Sequence, residues 1–111
     1  MKRFIILTLF LCFIALKSFA GCPSGSELKD AISLYKQGGI IGKIQPELNT
    51  VYLTPAAISR FSIDDMRTLG YLSACYSAYI KGNNLVWVDI YNYKTGKKVA
   101  KFSESWGFKM Y

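Results

Sequence analysis

The 111-residue chain contains no histidine. That absence removes the usual general base, the customary orienting partner of a serine or cysteine nucleophile, and the commonest metal ligand. Arginine is scarce: it occurs at Arg3, Arg60 and Arg67 and nowhere later. Reading of base edges favours bidentate arginine, so sequence-specific nucleic-acid recognition is not expected. Internal repeats, low-complexity tracts and Pro- or Ser-rich linkers are missing too, which leaves one compact unit at this length. No apolar run reaches the roughly 20 residues that a helix needs to cross a bilayer. Nor is there a phosphate-cradling loop, because Gly38, Gly39 and Gly42 follow a helical segment instead of opening one.

What is present begins with an address. Lys2-Arg3 supplies a basic start, Phe4 to Leu16 an apolar run of 13 residues, and Ser18 and Ala20 a small-x-small exit. These are the three parts of a cleavable export signal, expected to span residues 1–20. The mature chain is then a single exported domain of residues 21–111. The leader takes Lys2, Arg3 and Lys17 with it, so the formal +7 falls to +4, from 11 Lys+Arg against 7 Asp+Glu.

Cys12 lies in the leader, which leaves Cys22 and Cys75. Two thiols in an exported chain are expected to pair, and closing a loop of about 50 residues is worth roughly 4 kcal/mol on the chain-entropy model. Phe19-Ala20-Gly21-Cys22 resembles the lipobox of bacterial lipoproteins, usually Leu-Ala-Gly-Cys. The resemblance implies a lipid-anchored Cys22 and an unpaired Cys75. Phe19 in the leucine position and the charge of Lys17 depart from that pattern. A periplasmic or secreted product is therefore the expectation, with a lipoprotein anchored at Cys22 as the alternative.

Along the mature chain, Ser24 and Glu27 have capping-box spacing, and Leu28, Ala31, Ile32 and Tyr35 recur at helical intervals until Gly38-Gly39. Ile40–Ile44 and Thr50–Leu53 read as two short strands around Gln45–Asn49. Thr54-Pro55 predicts a helical turn, and Ser62 caps a long helix whose stripe is Met66, Leu69, Leu72, Tyr76, Tyr79 and Ile80. Leu85–Tyr93 alternates, with Val86, Val88 and Ile90 on one side and Leu85, Trp87, Asp89, Tyr91 and Tyr93 on the other. A turn at Lys94–Lys97 leads to Lys98–Ser103, and residues 106–111 alternate again. The order is α-β-β-α-β-β(-β). We expect a two-layer α+β domain in which a small antiparallel sheet packs on one long helix.

Catalytic, cofactor and metal residues are not expected. Asp64 and Asp65 suit a helix start better than acid–base work. Asp89 among aromatics needs a partner, with Lys101 or Glu104 as candidates; only if Asp89 and Glu104 met in a pocket would an enzyme be in view.

Charge points elsewhere. Residues 21–80 balance five cations against five anions, whereas residues 81–111 carry six lysines against Asp89 and Glu104. Trp87, Tyr91, Lys97, Lys98, Lys101 and Trp106 are the candidate contact residues, on the hairpin Leu85–Ser103 and the terminal strand. They suggest a non-enzymatic cell-envelope binding or accessory module for an anionic envelope component. The rival expectation is a small inhibitor or immunity-type protein whose Trp and Tyr side chains anchor a protein partner.

Overall fold

Capping residues set the helices in the computed structural model, which describes residues 21–111. The expected export signal, residues 1–20, lies outside the described residues. Helix α1 spans Gly25–Gln37; Ser24 Oγ accepts from the Glu27 amide while the Glu27 carboxylate accepts from the Ser24 amide. Gly39, at φ 74°, ends it in the left-handed region. Strands β1 (Ile41–Gln45) and β2 (Thr50–Leu53) flank a single 3₁₀ turn, Pro46–Leu48. Helix α2 (Pro55–Arg60) has Thr54 as its cap and proline at its first position. Helix α3 (Ile63–Lys81) opens with a Ser62–Asp65 capping box and closes on Gly82, at φ 68°.

The remaining strands are β3 (Trp87–Asn92), β4 (Lys98–Ser103) and β5 (Gly107–Met110). Leu85, expected to open β3, stays outside it and is exposed, because its amide donates to Asn83 Oδ1 in a local turn. Among the described residues five strands form one sheet in the order β1-β2-β3-β4-β5. The two-layer α+β fold is as expected, but the sheet is mixed rather than antiparallel: β2 and β3 run parallel, while the other three pairings are antiparallel. The connection explains this. Helices α2 and α3 carry the chain back to the end where β2 began, and such a crossover makes the next strand parallel.

Val51, Leu53, Val88, Ile90 and Ala100 are fully buried beneath α3, meeting Met66, Leu69 and Ala74. Close approach depends on Gly70. A Cβ there would lie 3.1 Å from Phe102 Cβ and 3.3 Å from Ile90 Cδ1, so the helix would have to lift. Helix α1 joins the same layer, packing on α3 and β1. The expected stripe of α3 fails at its end: Tyr79 and Ile80 are exposed, and burial continues through Ser77 and Ala78 instead. Tyr79 turns toward α1, where its ring covers Gly25.

Cys22 and Cys75 form a disulfide that fastens the segment before α1 to the middle of α3. The Tyr71 hydroxyl adds a 3.0 Å hydrogen bond to the Gly21 carbonyl. A sulfur held in this bridge cannot also carry a thioether-linked lipid, so the bridge and a Cys22 anchor exclude one another. Among the described residues no helix is long and apolar enough to cross a membrane.

Candidate functional site

Strand alternation sends every second side chain away from the helices. On β3, Val88 and Ile90 point into the core, whereas Trp87, Asp89 and Tyr91 point outward and are only partly buried. Register then collects outward residues from all five strands. Lys43 lies opposite Tyr52, Tyr52 opposite Tyr91, Asp89 opposite Lys101, and Lys101 opposite Lys109. The result is an open face, aromatic on one half and basic on the other.

The aromatic half is a contiguous cluster. Tyr52 and Tyr91 stack with centroids 5.4 Å apart and planes inclined by 29°, and Tyr93 meets Tyr52 edge-on at 6.4 Å. The Lys43 ammonium sits 5.7 Å from the centre of the Tyr52 ring. Gly42 makes room for Tyr93: a Cβ at Gly42 would fall 2.6 Å from that ring.

On the basic half, Lys98 and Lys109 each lie 5.1 Å from the Tyr111 ring centre. Asp89 is paired, but with neither expected partner. Lys101 stands directly across from it, yet Lys98 Nζ makes the contact, at 3.1 Å. An irregularity in the β3–β4 pairing at Ile90/Tyr91 is the cause. It sets Lys98 opposite Tyr91 and so onto the outward face beside Asp89. The approach is off-line and leaves Asp89 Oδ1 without a well-directed donor, so the contact is an ion pair first and a hydrogen bond second. The contact with Asp89 raises the Lys98 pKa above the ordinary lysine value, against the opposing effect of desolvation.

Lys101 and Lys109 are left facing each other across β4 and β5, and neither has an ion-pair partner among the described residues. Like charges directly opposite on neighbouring strands are destabilising. The pair is offset only in part, by Asp89 across from Lys101 and by the Tyr111 ring beside Lys109.

Four of the six residues singled out from the sequence thus share the open face: Trp87, Tyr91, Lys98 and Lys101. The other two sit at opposite ends of β4. Lys97 is exposed in the β3–β4 turn. Trp106 projects from the β4–β5 turn with 89% of its surface exposed. That turn is braced, since Ser103 Oγ accepts from the amides of Ser105 and Trp106 at 3.2 and 3.4 Å. Tyr93, Lys109 and Tyr111 fall within the expected hairpin and terminal strand without having been singled out, whereas Lys43 and Tyr52 were missed as site residues. Tyr52 had a signal, being the middle residue of Val51-Tyr52-Leu53, but its neighbourhood depends on the parallel pairing with β3.

Asp89 and Glu104 are not brought together. Glu104 lies on the helical side, where its charge helps to raise the Tyr71 pKa, second to burial. It borders a cavity of about 380 Å³ beside the disulfide, shared with Cys22, Leu28, Cys75 and Val86. Comparison of the chain with protein-family models, with curated proteins and with solved structures gave no match.

Proposed function

We propose that this chain is a non-enzymatic binding or accessory module, exported to the periplasm or beyond the cell, whose open sheet face holds an anionic component of the cell envelope. The observation that carries the reading is the Lys101–Lys109 pair: two lysines directly opposite each other on β4 and β5, neither in a salt bridge among the described residues. Such an arrangement makes sense when an anion sits between them. The tyrosines beside it add apolar contact area with little side-chain entropy to lose. The export part of the reading rests on the pattern of residues 1–20 and on the Cys22–Cys75 bridge, which suits an oxidising compartment.

Charge reversal tests it. The double variant Lys101→Glu/Lys109→Glu leaves the Asp89–Lys98 pair in place and should lose retention on anionic envelope material at low salt. Wild-type protein should be released by about 0.5 M salt, where the Debye length falls toward a few Å. Retention of the variant equal to wild type removes the open face from consideration.

A second reading, an inhibitor or immunity-type protein, is favoured by Trp106 alone. A braced turn that holds one tryptophan in water has the look of an interface anchor. A pull-down from envelope extract decides between them: a stoichiometric protein partner lost with Trp106→Ala supports the second reading and displaces the first.

A further inference from the structure

Resting on the reading of the open face as an anion-binding surface, we infer that its ligand is an acidic polysaccharide: a hydroxyl-rich chain of sugar rings bearing carboxylates. Size is the first argument. From Tyr52 on β2 to Lys109 on β5 the face crosses three strand spacings, about 14 Å. A single small anion would use one lysine pair and leave the tyrosine half idle, so the face matches a chain of units.

The second argument is how polar groups are mixed across it. Phenol hydroxyls at Tyr52, Tyr91, Tyr93 and Tyr111 can donate and accept, the lysines only donate, and the Asp89 carboxylate only accepts. A polyhydroxy ligand uses all three kinds of group. A phosphodiester backbone offers acceptors alone and brings no hydroxyl to donate to the Asp89 carboxylate, which lies between Thr50 on β2 and Lys101 on β4. The third argument is the state of the rings. Tyr52 and Tyr91 stack on each other, which closes the gap into which a base would slide, while Tyr93 and Tyr111 keep 53% and 60% of their surface in water. Flat exposed rings beside hydroxyls suit the apolar face of a sugar, with its carboxylate reaching Lys101 and Lys109.

The test uses the purified, disulfide-bonded protein and four probes: polygalacturonate, neutral dextran, oligo(dT), and vesicles containing phosphatidylglycerol. Polygalacturonate should bind and dextran should not. Lys101→Glu/Lys109→Glu should weaken polygalacturonate binding by about tenfold or more. Tyr93→Ala, at a half-exposed ring outside the core, should weaken it several-fold while circular dichroism shows the variant still folded, its melting temperature lowered only by the lost contact with Tyr52 and Gly42. If oligo(dT) or the vesicles bind through the same lysines and polygalacturonate does not, the polysaccharide inference is overturned while the anion-binding face stands. If no anionic probe binds, both fall together.

Discussion

Asn49 shows how one buried polar side chain can join three elements. Its φ of 50° is a left-handed conformation that asparagine tolerates better than most residues, and only 1% of its surface is exposed. Nδ2 donates to the Trp87 carbonyl at 2.9 Å, Oδ1 accepts from the Lys81 ammonium, and its backbone carbonyl accepts from the Asp89 amide at 2.9 Å. The turn before β2, the start of β3 and the end of α3 meet there, with each polar atom of the amide used. Ser73 and Ser77 are the opposite case. Both hydroxyls are fully buried on α3, and neither has a partner among the described residues. A buried hydroxyl without a partner is costly. Ser73→Ala and Ser77→Ala should therefore each raise unfolding free energy by about 1 kcal/mol, read from urea melts. A loss of that size instead would mean that the hydroxyls bond back to carbonyls one turn earlier.

Among the elements, the disulfide is the join whose removal can be measured most cleanly. Its two cysteines are 53 residues apart, and constraining an unfolded loop of that length is worth about 4 kcal/mol on the chain-entropy model. Cys22→Ala/Cys75→Ala should lose 2–4 kcal/mol of stability, roughly, and dithiothreitol should lower the wild-type urea midpoint to match. A midpoint indifferent to both treatments would show that α1 and α3 hold the N-terminal segment unaided. Much of this architecture was legible beforehand, because local chemistry writes it. Ser24 and Ser62 announced their helices, Gly39 and Gly82 ended theirs, and Gly96 takes the positive φ its turn required. The two cysteines named their own partnership. What escaped depends on contacts distant in sequence. No residue of Val51-Tyr52-Leu53 reveals that its neighbour is β3 in the parallel sense. The one-residue slip at Ile90/Tyr91, which hands Asp89 to Lys98, leaves no mark on the alternation of either strand. For the site the same rule held: residues of one hairpin were found together, while Lys43 and Tyr52 had to wait for the sheet.

For the molecule as a whole, alkaline pH is the most direct probe of packing. Burial pushes the Tyr35 phenol up to about 12, with the Asp65 charge adding to it, and Lys98 is raised as well. Both groups hold their protons more tightly in the folded state than in the unfolded one. Their contribution to stability is thus complete below about pH 10 and is lost as pH climbs through the folded values. Unfolding free energy should fall between pH 10 and 12, and Tyr35→Phe should flatten that decline; an unaltered slope in the variant would assign it to other groups. The open sheet has one further consequence. A sheet that does not close leaves a row of unpaired amides and carbonyls along each margin, and among the described residues those margins are β1 and β5. Each margin carries a lysine, Lys43 on one and Lys109 on the other, and the β1 margin is further bent by the slip between Ile41 and Lys43. Charge and curvature at a free margin discourage one molecule from adding its strand to the next. Lys43 and Lys109, the two marginal lysines of the open face, thereby act as guards against edge-to-edge growth into fibres.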